Sequence, residues 1–232
     1  MKVALCVIAT GKYKQFLSDL LATADEFFCR AHERMLFVFI DQSCLCLPEV
    51  AAAIELRHAA HEPWPGPTLH RYRTMLRAAG DLAAGDYVYY VDVDSRFVRP
   101  VGDEIFGDLA ATVHYGFVEK RRCEWTLDCN PNSRACVGPR DRWRPQHYYA
   151  GGFQGGRAGV YLDAMRAMDA AIADDESCGV TAWWHDESHW NRYLIDPPPA
   201  VELSHDYMCP PQWRPETQRI VIVGKNNGEV RA

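Results

Sequence analysis

The sequence carries no surplus of positive charge: 25 lysines and arginines stand against 31 aspartates and glutamates, a formal net charge of −6. The basic residues also form no block or stripe along the 232 residues. Nucleic acids bind proteins mainly through clustered lysine and arginine side chains, because these replace the cations around the phosphates. We therefore expect no nucleic-acid partner.

Long hydrophobic runs are missing too. A transmembrane helix needs about 20 consecutive apolar residues, and no segment reaches that length. The apolar residues 2–9 are followed by Gly11 and Lys12 and by no cleavage site, which predicts a first strand rather than a secretory signal. The nine cysteines are odd in number and lack the paired spacing of a structural zinc site. Together these absences predict a protein of the reducing cytoplasm.

The sequence does contain the material for a large core. Hydrophobic residues make up 48% of it, which suits one large α/β domain or two closely packed lobes. In the first half, the patterns predict strands at 2–9, 35–40, 55–58 and 87–91 and helices at 15–31, 47–53 and 68–82. The prolines at 63, 65 and 67 predict a loop there. This alternation predicts a parallel sheet of the nucleotide-binding type.

The second half has a weaker pattern. It predicts strands at 111–117 and 219–223, helices at 157–173 and 185–195, a polar wall at 121–145 and a strand at 148–156 that glycines break. No internal repeat and no linker divides the chain, so residues 1–232 are expected to form one domain.

The most informative motif is the pair Asp92 and Asp94, which directly follows the apolar run 87–91. Residues i and i+2 of a strand point to one face, so both carboxylates should project together at the strand end where α/β proteins bind ligands. Two adjacent carboxylates repel each other unless a cation lies between them, and oxygen ligands suit Mg²⁺ or Mn²⁺. The pair predicts a metal site for a diphosphate, although this tripeptide is also common in solvated turns.

A second motif runs from Trp183 to His189. Asp186 and Glu187 would lie in the first turn of the helix predicted at 185–195, where the helix dipole favours ionised carboxylates. Acidic residues are common there for structural reasons alone, but two tryptophans at the same junction indicate a pocket wall. His185 and His189, four residues apart on one helical face, also permit a zinc-hydrolase interpretation, although Asp follows His185 where that motif has Glu.

Glycines and cations mark two further segments. Gly151 and Gly152 allow the backbone to approach a ligand closely, or equally to pack closely against another strand. Lys225 and Arg231 lie in a C-terminal tail that is poor in helix signals. They are either solvated surface charges or the cations of a tail that closes over phosphates.

Taken together and in this order, the motifs resemble the family 6 glycosyltransferases, the relatives of the blood-group A and B transferases and α-1,3-galactosyltransferase, with shorter bacterial members. The Tyr-Tyr-x-Gly-Gly and Trp-His-Asp-Glu-Ser stretches are specific to that family. The matching stretches are Thr10-Gly-Lys-Tyr13, Trp64-Pro-Gly-Pro-Thr-Leu-His-Arg-Tyr72, Val91-Asp-Val-Asp94, Val113-His-Tyr-Gly-Phe117, Pro131-Asn-Ser-Arg-Ala135, Tyr148-Tyr-Ala-Gly-Gly-Phe153, Trp184-His-Asp-Glu-Ser-His189 and Lys225-Asn226.

The resemblance implies a GT-A fold, an α/β structure with a Rossmann-like mixed sheet flanked by helices. Residues 1–100 would bind the nucleotide sugar, and residues 101–232 the acceptor, with a C-terminal closing tail. The implied reaction is the transfer, with retention, of GalNAc or Gal from a UDP-sugar to the 3-hydroxyl of a β-galactoside. Mn²⁺ is the implied cofactor, with Mg²⁺ as the alternative. Peripheral membrane contact is expected only if the glycan acceptor is lipid-linked, and the absence of an anchor resembles the bacterial members.

The family's motifs also imply a role for each candidate residue. Ile8, Ala9 and Tyr13 would hold the uracil, and Asp92, Val93 and Asp94 the metal and the ribose side of the donor. Arg71 and Asp186 would bind hydroxyls of the donor sugar, and Lys225 and Arg231 its diphosphate. Ala150, Gly151 and Gly152 would adjoin the sugar, and their small size slightly favours GalNAc. His114, Thr126, Trp184 and Glu187 would face the acceptor.

Glu187 matches the family's central carboxylate and is the implied catalytic residue. Such a carboxylate acts either as a nucleophile or by stabilising a cationic transition state, and front-side attack with a UDP oxygen as proton acceptor stays open. Many bacterial members replace the acid pair by Asn-x-Asn and work without metal, whereas this chain keeps both acids. Asp128-Cys-Asn130 and Pro210 depart from the family near its acceptor contacts. The alternatives are the zinc hydrolase and a sugar-binding module without catalysis.

Overall fold

The computed structural model describes residues 1–41, 47–213, 215–226 and 228. Its strands are β1 Lys2–Ala9, β2 Glu33–Ile40, β3 Ala53–His58, β4 Tyr87–Val91, β5 Ser95–Phe97, β6 Ala110–Val113, β7 Tyr149–Arg157, β8 Val201–Leu203 and β9 Ile220–Ile222. Seven of them form a central sheet in the order β3-β2-β1-β4-β7-β6-β8, and β5 pairs with β9 in a second sheet.

The central sheet is mixed, as the GT-A resemblance implied. Strands β1 to β4 run parallel, as the alternation in the first half predicted, whereas β7 from the second half pairs antiparallel with both β4 and β6. β7 is also one continuous strand of nine residues rather than a strand broken by glycines. The glycines instead allow close pairing, because a Cβ on Gly155 would lie 2.7 Å from the Cα of Tyr89 in β4.

The α-helices are α1 Leu17–Phe27, α2 Gly66–Leu69, α3 Arg71–Leu76, α4 Ala79–Leu82, α5 Ala158–Ser177 and α6 Asp186–Tyr193. The single helix predicted at 68–82 is thus three short ones, and the loop predicted at 63–67 already becomes helical at Gly66. His70 and Ala78, with ψ of 19° and 17°, depart from helical backbone torsions and separate the three helices.

The helix predicted at 47–53 is also wrong, because residues 47–50 have no regular structure and β3 begins at Ala53. The backbone N–H groups of Ala51 and Ala52 donate instead to the carboxylate of Asp25 on α1, at 3.0 and 2.9 Å. These two tertiary hydrogen bonds keep the segment from forming a helix. The other predicted elements are present with shifted ends; for example, the strand predicted at 111–117 ends at Val113.

Hydrophobic side chains fill the space on both faces of the central sheet. On one face, Val7 and Val91 pack with Leu20 of α1. On the other face, residues such as Cys6 pack with Met165 of α5 and Trp190 of α6, among others. Because both faces of β1 and β4 are buried, nearly every residue of these two strands is apolar. Among the described residues, no helix combines the length and apolarity that crossing a bilayer requires.

Candidate active site

A cavity of about 380 Å³ lies at the carboxyl ends of β1 and β4. The start of β7, the start of α6 and the segment before α3 complete its wall. Its lining residues are Ile8, Thr10, Tyr13, Trp64, Pro67, Thr68, Arg71, Tyr90, Asp92, Val93, Asp94, Gly151, Gly152, Trp184, His185, Asp186, Glu187 and Lys225. This is the sheet edge at which the chain pattern predicted a ligand site.

Asp92 and Asp94 follow β4 and line this cavity together. The hydroxyl of Tyr90 donates to Asp92 Oδ1 at 2.8 Å, and the ammonium of Lys225 contacts Asp94 Oδ2. Burial, and next the negative charge of Asp92, raise the pKa of Asp94, while Lys225 opposes this. Burial would lower the pKa of Lys225, but Asp94 raises it. The paired acids therefore form a site that attracts a cation, and the lysine supplies one.

Arg71 joins three parts of the cavity wall, although it is only 3% exposed. Its guanidinium donates to the carbonyl oxygen of Gly151 at 2.5 Å and lies 2.8 Å from Asp186 Oδ2 and 3.4 Å from Asp92 Oδ1. The face of the Tyr90 ring covers it, with the guanidinium carbon 4.3 Å from the ring centre. Burial alone would lower the pKa of Arg71, but Asp186 and its other neighbours raise it well above the ordinary value.

Asp186 is fully buried at the first position of α6. Burial raises the pKa of its carboxyl, as do the charges of Asp92 and Glu187, and the guanidinium of Arg71 opposes them. Within the described part of the chain, no donor makes a well-aligned hydrogen bond to either carboxylate oxygen of Asp186. The Arg71 guanidinium, 2.8 Å from Asp186 Oδ2, therefore provides the main compensation for this buried carboxylate.

Glu187 is held in one orientation by two donors. The hydroxyl of Tyr148 donates to Oε1 at 2.9 Å, and the backbone N–H of Gly151 donates to Oε2 at 2.8 Å. Both oxygens thus accept hydrogen bonds, and the carboxylate lies in the first turn of α6, where the helix dipole favours a negative charge.

A second cavity of about 190 Å³ adjoins the first and shares Asp92, Asp94, Gly152, Glu187 and Lys225 with it. His114, Ala150 and Met208 are among its further lining residues. The absence of a side chain at Gly152 keeps the two spaces open to each other. A Cβ there would lie 2.6 Å from Met208 Cε and 2.7 Å from Asp92 Oδ2.

Two tryptophans form an exposed rim beside the cavities. The rings of Trp183 and Trp184 stack with centroids 6.2 Å apart and are 59% and 44% exposed. The indole N–H of Trp184 donates to Thr126 Oγ1 at 2.8 Å, which fixes its orientation. Flat apolar rings that stay exposed beside a polar cavity provide a surface on which a sugar ring can stack.

The whole chain, residues 1–232, matches the model of glycosyltransferase family 6. The chain belongs to this family. The recognition from sequence motifs and the GT-A-type mixed sheet are thereby confirmed. It follows that the cavities described above are those of a glycosyltransferase.

Curated members of family 6 align over most of the chain. Histo-blood group ABO system transferase 1 of Rattus norvegicus is 32% identical over 241 residues, covering 99% of this chain and 68% of the relative. Globoside alpha-1,3-N-acetylgalactosaminyltransferase 1 of Homo sapiens is 29% identical over 217 residues, covering 90% and 61% respectively. O-antigen biosynthesis glycosyltransferase WbnI of Escherichia coli is 22% identical over 215 residues, covering 92% and 90%.

Most residues singled out from the family 6 motifs do lie together. Of the predicted donor and acceptor residues that the structure describes, all but Ala9 and Thr126 line one or both cavities. Thr126 lines neither cavity, and its hydroxyl accepts a hydrogen bond from the indole of Trp184. Ala9 is fully buried in β1 and packs in the core on the same sheet face as Leu5 and Val7. Arg231 lies outside the described residues, and Ala150 and His114 line the second cavity only. Glu187 borders both cavities rather than the acceptor side alone.

Sequence reasoning missed two tyrosines that orient carboxylates of the site, Tyr90 on the cavity wall and Tyr148 next to Glu187. Tyr90 precedes Asp92 by two residues and so shares its strand face, a signal that was available from the two-residue period. Tyr148 contacts Glu187 across 39 positions of sequence, and no local pattern predicts such a pair.

The zinc-hydrolase alternative is not supported by the geometry. His185 precedes α6 and has a φ of 52°, so it does not share a helical face with His189. His189 is buried, with Nε2 3.5 Å from Asp175 Oδ2. In the described ranges of the chain, no three His, Cys, Asp or Glu side chains are grouped as metal ligands.

Proposed function

We propose that this family 6 glycosyltransferase is a retaining α-1,3 enzyme that moves GalNAc, or Gal, from a UDP-sugar to a β-galactoside. The observation that carries the proposal is the convergence of Asp92 and Asp94, the buried pair Arg71 and Asp186, and Glu187 around one cavity. The names of the rat and human relatives, an ABO blood-group transferase and an α-1,3-N-acetylgalactosaminyltransferase, support it.

The cavity has separate surfaces for the parts of a UDP-sugar. Ile8 and Tyr13 offer an apolar wall and an aromatic ring to the uracil at the end of β1. Asp186 also borders this cavity and is the proposed partner of the sugar hydroxyls, which its buried carboxylate would reach once the donor is bound. Arg71 holds that carboxylate in place and adds its own N–H groups.

Asp92 and Asp94 fit a divalent cation, because two carboxylates face one cavity and a lysine ammonium already contacts one of them. Hard oxygen ligands select Mn²⁺ or Mg²⁺. When bound, the cation would neutralise the charge that develops on the departing UDP. Lys225 lies close enough to contact the diphosphate as well, and its ammonium lies 4.8 Å from the centre of the Tyr13 ring.

Glu187 supplies the negative charge beside the reacting carbon of the sugar. Tyr148 and the Gly151 N–H hold its two oxygens, so the carboxylate is oriented before substrate binds. The acceptor β-galactoside enters on the side of the second cavity, past the exposed tryptophan rim. Trp184 on the first cavity and His114 on the second would then border the acceptor on either side of Glu187, which lines both.

The proposal is tested by assaying UDP-GalNAc and UDP-Gal with lactose-type and fucosylated acceptors, each with Mn²⁺ and with EDTA. We expect an α-1,3-linked product only when Mn²⁺ is present, because chelation leaves the charge on the UDP leaving group without its counter-ion. Full activity in EDTA would contradict the metal assignment. Absence of both transfer and UDP-sugar hydrolysis would favour a binding module without catalysis.

Donor choice is expected to depend on Gly152. In Gly152→Ala, the added methyl group takes space between Met208 and Asp92 beside the second cavity. A misplaced methyl group in a pocket changes discrimination by about tenfold or more. We therefore expect kcat/KM for UDP-GalNAc to fall about tenfold relative to that for UDP-Gal. Gly138→Ala is the matched control, since a Cβ at Gly138 meets no atom within 4 Å. An unchanged donor ratio in Gly152→Ala would refute the assignment.

A further inference from the structure

Residues 62–71 form a segment that crosses one side of the proposed donor cavity. Trp64, Pro67, Thr68 and Arg71 of this segment line the cavity. At its near end, the Trp64 ring packs edge-on against the ring of His185, with centroids 5.3 Å apart. The segment contains only the four-residue helix α2, so its position depends on contacts to neighbouring elements.

The contact that anchors this segment from outside the cavity is made by His70. Its Nδ1 lies 2.5 Å from Glu62 Oε2, and its Nε2 lies 2.6 Å from Glu176 Oε1 in the last turn of α5. One imidazole thus joins the start of the segment to a long helix 106 positions away. The His70 side chain is 16% exposed, while Glu62 and Glu176 are 37% and 35% exposed.

The two contacts use both nitrogens of the His70 ring, one toward each carboxyl group, so the ring is held from two sides. Arg73 adds a positive charge beside the second carboxylate, because it lies 3.0 Å from Glu176 and 3.2 Å from Asp169 on α5. Burial would raise the pKa of Glu176, but hydrogen bonds from His70 and Arg73 lower it.

The backbone is shaped to let this contact form. Glu62 reaches His70 by passing over Gly66, and a Cβ at Gly66 would lie 2.6 Å from the Cβ of Glu62. The peptide that links His70 to Arg71 then places the next side chain into the cavity, where it contacts Asp186 and Asp92. A shift of the imidazole is therefore transmitted directly to the buried guanidinium.

We infer that His70 is a positioning residue: its imidazole ties Glu62 to α5 and thereby holds the 62–71 segment and Arg71 in the geometry that binds the UDP-sugar donor. The inference rests on the proposed function, since it concerns affinity for a UDP-containing ligand. It extends that function to a residue that touches neither cavity and that would act only through Arg71 and the segment before it.

The test is calorimetric binding of UDP-GalNAc, with Mn²⁺ and without acceptor, to the full chain and to His70→Gln, Glu62→Ala and the double variant. Loss of one charged hydrogen bond corresponds to about tenfold in affinity, and we expect that loss in each single variant. Because both act on one contact, the double variant should bind no more than about twofold more weakly than either single variant. With a UDP-sugar donor, KM should rise while kcat stays within about threefold.

His32→Gln is the matched control. His32 also pairs with a carboxylate, with Nε2 2.7 Å from Asp103 Oδ1, and it lines neither cavity, so its loss should leave UDP-GalNAc affinity unchanged. Unchanged UDP-GalNAc affinity in His70→Gln, even with a lower melting temperature, would overturn the inference and leave the proposed function intact. Failure of the wild-type chain to bind either UDP-GalNAc or UDP-Gal would overturn both.

Discussion

Glu187→Gln is expected to lower kcat by roughly 10³-fold, the usual cost of removing a preorganised charge from a transition state. The fold should tolerate the change. A glutamine oxygen can still accept from the Gly151 N–H, and its amide can donate to the hydroxyl oxygen of Tyr148, which rotates to accept. The affinity for UDP should therefore stay near that of the wild type while turnover is lost. Steady-state kinetics and UDP calorimetry measure the two quantities separately.

Tyr148→Phe distinguishes the contribution of the Glu187 charge to activity from the contribution of its orientation. The variant keeps the carboxylate and the Gly151 N–H contact but removes one of the two donors, so we expect a loss of about tenfold rather than 10³-fold. If Glu187→Gln retained most of the wild-type turnover, the carboxylate would not be the catalytic group. If both variants lost activity equally, orientation rather than charge would dominate.

Asp92→Asn and Asp94→Asn are expected to be close to inactive, each with transfer reduced by about 10³-fold or more, because a neutral amide is a poor ligand for Mn²⁺. Titration of Mn²⁺ followed by electron paramagnetic resonance should show weaker binding in both variants, independently of any activity. Asp163→Asn, an exposed carboxylate on α5 that pairs with Arg166 at 2.7 Å, is the control and should behave as wild type. Wild-type Mn²⁺ affinity in either active-site variant would refute the metal assignment.

Much of the site could be predicted because its acidic residues follow strong local patterns. Asp92 and Asp94 end a buried strand, and the two-residue period of a strand together with the binding edge of parallel sheets places them in the cavity. Asp186 and Glu187 begin a helix, where their side chains share one turn. In both cases the backbone geometry of a single element determines the position of the carboxylates.

The parts that could not be predicted depend on contacts between distant residues. The antiparallel pairing of β7 with β4 joins Tyr87 to Arg157, and no local pattern distinguishes it from parallel pairing. The division of the predicted helix 68–82 into three is stabilised by contacts such as that of His70 with Glu176 on α5. The same holds for residues 51 and 52, whose N–H groups are captured by Asp25. Tertiary contacts override local propensity at each of these places.

The two ends of β7 differ in the side chains that they can accommodate. Its first residues, Ala150 to Gly152, border the cavities, whereas Gly155 lies against the backbone of β4 so closely that no side chain fits. A mutagenesis library aimed at new donor sugars should therefore vary positions 150 and 152 and leave 155 untouched. Substitutions at the first end of β7 can therefore alter the substrate range of this enzyme, whereas substitutions at the other end would disturb the sheet. The two kinds of change can occur independently, because they fall on different residues of one strand.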